Sequence, residues 1–283
     1  MTHMNYWHTD FHSPHHGLAF EVEKLLYSEQ SPFQKIEVVQ TPSFGIVLLL
    51  DGALMLTERD EFTYHEMMVH PTLFTHPQPQ SVLIIGGGDC GTLTRVLRHG
   101  SVRRVKMVEL DERVTRVANR FFPELAKAVD DPRAELVFTD GIKFLRDTTE
   151  KFDVILIDST DPVGPAVGLF RAPFFTDCER ALNPGGILCL QSESPWIPEL
   201  GKLIGEVHRD LRSLFPLVRA YSAAIQTYQA GFWLFQMASK SSDPLAPEVG
   251  ARISAAAIPT RYYNRDLHYA SFSLPTFVLD QLG

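Results

Sequence analysis

The sequence predicts an α/β protein in which a small antiparallel β region precedes a parallel, doubly wound sheet. From residue 82 onwards, short apolar runs alternate with helix-like segments, and this alternation is typical of βαβ units. Before residue 66, apolar runs are separated by turn signals instead. We therefore expect an N-terminal β-strand domain at residues 1–66 and an α/β domain at residues 67–283.

Three apolar runs predict the N-terminal strands. Residues 36–39 and 44–50 lie on either side of the turn-like Thr41-Pro42-Ser43, and residues 53–57 follow Asp51-Gly52. An Asp-Gly pair between two apolar runs is a strong hairpin signal, because both residues tolerate positive φ. We therefore expect these strands to be antiparallel neighbours.

The second domain begins at residues 82–85, a continuous apolar run typical of a strand that is buried on both faces. Further strands are predicted at residues 104–110, 134–138, 153–157, 186–190 and 231–237. Between them, apolar side chains along one stripe predict amphipathic helices after residue 111 and at residues 203–215.

Composition and charge narrow the function classes. The 283 residues carry a formal net charge of -8, and Lys and Arg form no cluster that would mark a nucleic-acid surface. The three cysteines form neither a disulfide framework nor a metal knuckle. The sequence contains no apolar signal core and no apolar stretch near the ~20 residues of a membrane helix. We expect a cytoplasmic protein without nucleic-acid or membrane partners, whose acidity favours cationic small molecules.

A glycine-rich loop, residues 86–91 (GGGDCG), follows the first strand of the second domain. Its glycines allow the backbone to approach a ligand closely, and Glu109, at the end of the next strand, suits hydrogen bonds to ribose hydroxyls. Dinucleotides and adenosyl-sulfonium compounds both fit this geometry. Asp89 distinguishes them, because an acid inside the loop repels a pyrophosphate and attracts an amine. The alternatives are that Asp89 only caps the helix and that Glu109 is a solvated acid at a strand end.

Two further acidic motifs follow predicted strands. Asp158 and Asp161 stand three residues apart in DSTDPVGPA, directly after an apolar run. Carboxylates there can hold an ammonium group, and one of them can take a proton from it. Asp140-Gly141 follows the third strand, where an Asp can accept a hydrogen bond from an adenine amine and Gly leaves room for the ring. A helix cap is the alternative for Asp140.

Taken together, these motifs resemble those of the spermidine synthases, which are polyamine aminopropyltransferases. The resemblance runs over nearly the whole chain and includes LDGALMLTERDEFTYHEMMVH, IIGGGD, DSTDPVGP and RYYNRDLHYASFSLP. It implies a Rossmann-like, methyltransferase-type parallel-sheet domain with a small N-terminal antiparallel β domain. It also implies that the aminopropyl group of decarboxylated S-adenosylmethionine moves to putrescine, which gives spermidine and methylthioadenosine. The donor is then a co-substrate, no cofactor or metal is expected, and the protein is expected to be a homodimer or homotetramer.

The resemblance also implies roles for single residues. The expected catalytic residues, which orient the attacking amine or take its proton, are Asp158, Tyr64 and Tyr228. The expected polyamine-binding residues are Trp7, His65, Asp89, Ser159, Thr160, Asp161 and Glu193. The expected residues around the donor nucleoside are Gln34 and Glu109 at the ribose, Asp140, Gly141 and Pro165 at the adenine, and Gly86 and Gly88 in the glycine loop.

The chain departs from the family pattern next to the glycine loop. Cys90 stands where the family usually has Gly, so a positive φ at this position would cost strain. Thr94-Arg95 stands where the family usually has Arg-Glu, which alters the charge near a site entrance or a subunit contact.

Four alternatives to the putrescine reaction remain open on the sequence. The acceptor can be another amine, such as cadaverine, agmatine or spermidine itself. The same fold also serves S-adenosylmethionine-dependent methyltransferases, although Asp89 opposes the carboxylate of their donor. A non-catalytic nucleoside- or polyamine-binding protein is a third alternative, and a NAD-dependent oxidoreductase a fourth.

Overall fold

Two antiparallel sheets lie within residues 6–57. The computed structural model describes residues 6–13, 15–162 and 164–283, apart from the side chains of Pro165 and Gln229. A two-stranded sheet contains β1 (Tyr6–Ser13) and β2 (His16–Val22). The next sheet has four strands, in the order β3 (Lys24–Gln30), β4 (Lys35–Thr41), β5 (Gly45–Leu50) and β6 (Ala53–Thr57).

The predicted hairpin at Asp51-Gly52 joins β5 to β6. Asp51 has a φ of 49° and Gly52 a φ of 85°, and a positive φ at both central residues is the geometry of a tight hairpin turn. Leu50 pairs with Ala53 across the turn. All three predicted N-terminal strands are therefore present.

Seven strands form the central sheet. In chain order they are β7 (Ser81–Gly86), β8 (Arg104–Glu109), β9 (Ala134–Phe138), β10 (Phe152–Asp158), β11 (Leu182–Gln191), β12 (Leu217–Ala223) and β13 (Trp233–Ser239). Their order across the sheet is β12-β13-β11-β10-β7-β8-β9. The contacts among β7 to β11 are all parallel, as the fold class predicts.

The strand β13 departs from the parallel expectation, because it runs antiparallel to both β11 and β12. Between β12 and β13 there is only a short segment with a single 3₁₀ turn at Gln229–Gly231. A parallel crossover needs a dozen or more residues, so this short link reverses the chain direction. The prediction of a core strand at residues 231–237 is confirmed, since β13 is buried along its whole length.

Helices pack on both faces of the central sheet. They are α1 (Glu61–Thr75), α2 (Gly91–Val96), α3 (Glu112–Phe121), α4 (Pro123–Ala126), α5 (Gly141–Asp147), α6 (Ala172–Ala181), α7 (Pro198–Leu214), α8 (Pro247–Ala256), α9 (Arg265–Ser271) and α10 (Thr276–Leu282). Alternate residues of β7 belong to two separate cores, one that includes α1 and α2 and one that includes α6 and α7. No helix among the described ranges is long and apolar enough to cross a membrane. The predicted boundary at residue 66 lies inside α1, and the division into domains 1–66 and 67–283 stays a prediction.

The carboxyl ends of β7, β8 and β10 meet at one edge of the sheet. The chain passes from β7 to β8 on one side and later returns to β10 on the other side of β7. Such a reversal in strand order opens a crevice at the carboxyl ends of the strands. The glycine loop after β7, Glu109 at the end of β8 and Asp158 at the end of β10 all lie at this crevice.

Two buried histidines lie where α1 packs against the segment that follows α2. Nδ1 of His70 and Nε2 of His99 are 2.9 Å apart, and both side chains are buried. Burial, followed by the neighbouring His99, lowers the pKa of His70, and burial lowers the pKa of His99 to about 3. Both imidazoles are therefore neutral in the folded protein, whereas histidine in an unfolded chain titrates at about 6.5.

We expect the free energy of unfolding to fall as the pH drops below about 6.5, because the unfolded chain then binds protons that the buried imidazoles do not bind. His99→Gln removes one of these groups. Between about pH 7.5 and about pH 5, this variant should lose about 1 to 2 kcal/mol less stability than the native protein. Denaturant unfolding at both pH values measures the difference. The exposed His15→Gln serves as the control, and equal losses for the native protein and His99→Gln would contradict the prediction.

Candidate active site

A cavity of about 670 Å³ lies between the N-terminal sheet and the crevice at the carboxyl edge of the central sheet. The predicted site residues that line it are Gln34, Tyr64, Gly86, Gly88, Asp89, Glu109, Asp140, Gly141, Asp158, Ser159, Thr160, Asp161 and Tyr228. Three predicted residues, Trp7, His65 and Glu193, are not part of this lining. The side chain of Pro165 falls outside the described residues.

The lining of the cavity is acidic. Its acidic side chains are Asp10, Asp51, Asp89, Glu109, Asp140, Asp158 and Asp161. None of the described lining residues is Lys, Arg or His. A cavity with this charge attracts cationic ligands and disfavours anionic ones.

The glycine loop lies against the end of β10, and its glycines are required there. Gly86 has a φ of 82°, and a Cβ on it would lie 2.1 Å from the carbonyl oxygen of Asp158. The N–H of Gly87 donates to that same oxygen at 2.8 Å. A Cβ on Gly88 would lie 3.0 Å from Oε2 of Glu109. The loop can therefore approach the backbone of Asp158 and the carboxylate of Glu109 only because it lacks side chains at these positions.

Of the residues that depart from the family pattern, Cys90 and Arg95 are buried and Thr94 is partly buried. Cys90 has a φ of 69°, in the left-handed region, so the expected strain is present, on the order of 1 kcal/mol or more. Thr94 donates its hydroxyl to the carbonyl of Leu125, and Arg95 forms an ion pair with Glu61. The substituted pair therefore lies in the interior behind the glycine loop, and not at a site entrance.

Tyr64 fixes one oxygen of Asp158. Its hydroxyl, on the first turns of α1, donates to Oδ1 of Asp158 at 2.6 Å. The other carboxylate oxygen, Oδ2, is buried beneath the glycine loop, where a Cβ on Gly87 would lie 3.1 Å from it. Burial, followed by the nearby charge of Asp89, raises the pKa of Asp158. The carboxylate is therefore held in place and is more basic than that of an exposed Asp.

Tyr228 lies beside Tyr64, with 5.4 Å between the two ring centroids. Its hydroxyl donates to the carbonyl of Met55 on β6 at 2.7 Å. Burial raises the pKa of both tyrosines well above the usual value, with Asp158 adding to the effect on Tyr64 and Asp89 to that on Tyr228. Both hydroxyls therefore stay protonated. This geometry suits the predicted orienting role, whereas a part in proton transfer stays a prediction.

A chain of buried charges supports Asp89 from behind. Oδ1 of Asp89 accepts the N–H of Gly91 at 2.7 Å and lies 3.3 Å from Nε2 of His65. Glu61 contacts both Nδ1 of His65 and Nη2 of Arg95 at 2.7 Å. Burial opposes a charge on His65, but Asp89 and Glu61 raise its pKa to about 10, so it is an imidazolium. The same contacts lower the pKa of Asp89 against the effect of burial.

The end of β8 offers a second carboxylate to the cavity. Glu109 accepts the N–H of Asp111 through Oε1 at 2.8 Å. Burial raises its pKa to about 7, although that hydrogen bond acts in the opposite direction. Gln34, from the segment between β3 and β4, donates to Asp111 at 3.2 Å, and so does the hydroxyl of Ser31 at 2.6 Å. The two predicted ribose residues, Gln34 and Glu109, are thus linked through Asp111.

Asp140 caps α5, as one of the two interpretations of this motif predicts, and its role at the adenine stays a prediction. Its Oδ1 accepts the N–H groups of Ile142 at 2.8 Å and Lys143 at 3.2 Å. It lines the cavity at the same time. A Cβ on Gly141 would lie 2.6 Å from Cγ2 of Ile85, so this glycine is required for packing against β7.

Glu193 and Trp7, which were expected to contact the far end of the acceptor, lie outside the cavity lining. Glu193 lies behind the lining residue Gln191, whose amide donates to its Oε1 at 3.0 Å. Burial, followed by Asp161, raises the pKa of Glu193 well above the usual value. Trp7 on β1 is 66% exposed and outside the lining, whereas its neighbours Asp10 and Phe11 line the cavity.

Comparison with known proteins gives a consistent result over the whole chain. Residues 61–247 match the spermine/spermidine synthase domain, and residues 6–58 match the spermidine synthase tetramerisation domain. The polyamine aminopropyltransferase of Alkaliphilus metalliredigens is 43% identical over 99% of this chain and 98% of its own length. That of Bacillus subtilis is 42% identical over 97% of this chain and 98% of its own length.

Solved structures show the same fold. A crystal structure of a spermidine synthase in complex with the transition-state analogue AdoDATO superposes with a TM-score of 0.93, at 38% identity, and covers 98% of this chain and 94% of that one. The spermidine synthase of Thermotoga maritima gives a TM-score of 0.91, also at 38% identity, over 99% of this chain and 94% of that one.

We expect Glu109→Gln to stabilise the empty protein at alkaline pH. When folding raises the pKa of a carboxyl group, the free energy of unfolding falls as the pH rises from the pKa in the unfolded chain to the pKa in the folded protein. For Glu109 these two pKa values are about 4.3 and about 7. At about pH 8 the variant should gain about 2 kcal/mol over the native protein, which is less than the full shift implies because Glu109 is only partly buried. At about pH 5 the gain should fall to about 0.6 kcal/mol.

Denaturant unfolding of both proteins at the two pH values provides the measurement. Glu112→Gln, an exposed acid at the start of α3, is the matched control and should change stability by less than about 0.5 kcal/mol. A gain that does not depend on pH would show that the charge of Glu109 is not its cause.

Proposed function

The chain belongs to the spermine/spermidine synthase family and is a polyamine aminopropyltransferase, and we propose that its donor is decarboxylated S-adenosylmethionine and its acceptor putrescine. The products are then methylthioadenosine and spermidine. The observation that carries this proposal is the acidic cavity, in which Asp89 and Asp158 face a common space that no Lys, Arg or His of the described residues lines. Both proposed substrates are cations, and neither carries an anionic group that a basic side chain would have to neutralise.

The charge state of the acceptor explains why a base is needed. An alkylammonium group titrates at about 10.4, so at neutral pH it has no lone pair for attack. Carboxylates select this charged form, and a base must then remove one proton in place. Asp158 suits this role, because it lines the cavity, its pKa is raised, and Tyr64 holds its Oδ1.

The transfer itself requires alignment more than charge stabilisation. The amine nitrogen forms a bond to the carbon next to the sulfonium, the carbon–sulfur bond breaks, and its electron pair neutralises the sulfur. Positive charge thus leaves the sulfur and appears on the new secondary ammonium group, and the proton that Asp158 took before the attack passes to water. Good alignment of nitrogen, carbon and sulfur can contribute roughly 7–11 kcal/mol.

The donor fits the crevice side of the cavity. We assign Glu109 and Gln34 to the ribose, Asp140, Gly141 and Pro165 to the adenine, and Gly86 and Gly88 to close backbone contact. The aminopropyl ammonium then lies at Asp89, which is kept ionised by His65. A donor that retained its carboxylate would meet Asp89 with a like charge, so the proposal favours the decarboxylated form.

The acceptor occupies the rest of the cavity. We assign its channel to Ser159, Thr160 and Asp161, together with the aromatic pair Tyr64 and Tyr228. The backbone carbonyls of Ser159 and Thr160 lie within 3.5 Å of the Gln191 amide, which also contacts Glu193. Glu193 therefore acts on the acceptor through Gln191.

We also propose a homodimer or homotetramer that forms through the N-terminal β region, in a cytoplasmic protein. The match to a tetramerisation domain at residues 6–58 supports the assembly. So do the aromatic side chains of β1, since Tyr6 is 48%, Trp7 66% and Phe11 73% exposed. Exposed apolar side chains of this size favour burial against another surface. A contact of Trp7 with the acceptor stays part of the proposal.

Product analysis with a panel of amines tests the reaction. The protein is incubated with decarboxylated S-adenosylmethionine and, separately, putrescine, cadaverine, agmatine or spermidine, and the products are identified by mass. We expect methylthioadenosine and spermidine to appear together with putrescine. Product with only another amine would correct the acceptor, and no methylthioadenosine with any amine would refute the proposed transfer. Methylated product with S-adenosylmethionine would indicate the methyltransferase alternative.

The variant Asp158→Asn tests the proposed base. Turnover should fall about 100-fold or more, because an amide cannot take the amine proton. The dissociation constant of methylthioadenosine should change less than about threefold, because Asp158 is assigned to the amine. Steady-state kinetics and calorimetry measure the two quantities, with the exposed Asp147→Asn as control. Turnover close to that of the native protein would remove Asp158 as the base.

A further inference from the structure

Asp60 is buried outside the cavity lining and connects the elements that carry the aromatic pair Tyr64 and Tyr228. It is 8% exposed and lies between β6 and α1. The hydroxyl of Thr57 donates to its Oδ1 at 2.6 Å. The hydroxyl of Thr227 donates to its Oδ2 at 2.8 Å, and the Thr227 N–H donates to the same oxygen at 3.1 Å.

These hydrogen bonds are not a helix cap. Asp60 is the residue before α1, where a carboxylate commonly accepts N–H groups of the first turn. The side chain of Asp60 makes no such bond, and its backbone carbonyl alone accepts the N–H of Thr63 at 2.9 Å. The carboxylate therefore acts between elements, with charge-assisted hydrogen bonds that are stronger than neutral ones.

The three elements joined at Asp60 are those that hold Tyr228 against Tyr64. The strand β6 ends at Thr57 and carries Met55, whose carbonyl accepts the Tyr228 hydroxyl. The helix α1 carries Tyr64. Thr227 precedes Tyr228, so two connections attach the segment between β12 and β13 to β6. One runs from Thr227 through Asp60 to Thr57, and the other is the hydrogen bond from the Tyr228 hydroxyl to Met55.

We propose that Asp60 and Thr227 are positioning residues for the amine acceptor, because they set the place of Tyr228 beside Tyr64 and Asp158. This inference rests on the proposed transfer reaction. It assigns to the acceptor side of the site two residues that do not line the cavity. The donor side is held by other groups, among them Glu109 and Asp140, so loss of the Asp60–Thr227 contact should affect the two substrates unequally.

The matched pair Thr227→Val and Thr227→Ser tests the inference. Valine keeps the shape of threonine but lacks the hydroxyl, whereas serine keeps the hydroxyl. We expect Thr227→Val to lower kcat/KM for putrescine about tenfold, since small misplacements of catalytic groups are costly. Methylthioadenosine, which has no amine acceptor part, should bind with a dissociation constant within about twofold of the native value. Thr227→Ser should recover kcat/KM to within about threefold of the native value.

Thr115→Val is the control substitution, because Thr115 is equally buried and its hydroxyl has no hydrogen-bond partner among the described residues. It should leave both quantities unchanged. Asp60→Asn is the second variant, and it should act in the same direction as Thr227→Val, because the amide nitrogen that replaces one carboxylate oxygen cannot accept, so the hydrogen bonds from Thr57 and Thr227 cannot all be kept.

The inference requires that the variants lower kcat/KM for putrescine more than they weaken methylthioadenosine binding. If Thr227→Val and Asp60→Asn weaken methylthioadenosine binding as much as they lower kcat/KM for putrescine, the contact is only structural and the inference is wrong. Native-like kinetics in both variants would also overturn it. A native protein that forms no product with any amine refutes the proposed function instead, which separates the two failures.

Discussion

The site depends on how closely the glycine loop approaches the end of β10. The backbone of Gly86 leaves no room for a Cβ beside the carbonyl of Asp158, and the Gly87 N–H binds that carbonyl. This contact closes the crevice between β7 and β10 at its base, so that Asp89 on the loop and the carboxylate of Asp158 open into one cavity. The helix α1 then adds Tyr64 to Asp158 and His65 to Asp89. Adjacent residues of one helix therefore serve two different carboxylates.

The two carboxylates are shifted in opposite directions by their surroundings. Asp89 has an imidazolium and a backbone N–H as partners, and these lower its pKa. Burial, followed by the neighbouring charge of Asp89, raises the pKa of Asp158, although the hydrogen bond from the neutral phenol of Tyr64 acts in the opposite direction. Opposite shifts in neighbouring acids separate a permanent anion from a group that can accept a proton. In the proposed reaction, the permanent anion holds the donor ammonium and the basic carboxylate receives the acceptor proton.

The strand-end acids were accessible from the sequence because their signals are local. A buried apolar run predicts the strand, the next residue is then at the carboxyl edge, and Asp158, Glu109 and Asp140 follow from that rule. The contacts that set their properties are not local. Asp60 meets Thr227 across 167 positions, and Asp111 meets Gln34 across 77, and no spacing in the sequence indicates either pair. The antiparallel direction of β13 was also missed, because an apolar run predicts a strand but not its direction.

The residues that form the apolar cores are separate from the acids that line the cavity, and this separation explains how so many acids can surround it. Residues of β7 and β10 are buried in two apolar cores, and none of the acids that line the cavity is part of either core. The free energy of folding can thus come from apolar burial, while Glu109 and Asp158 keep raised pKa values in the wall of the cavity. A cation in the cavity removes this electrostatic cost without any change in the cores. In the proposed reaction, the affinity for a doubly charged amine therefore comes in part from relief of the unfavourable interactions between carboxylates in the empty site. The apolar cores keep the protein folded despite these interactions.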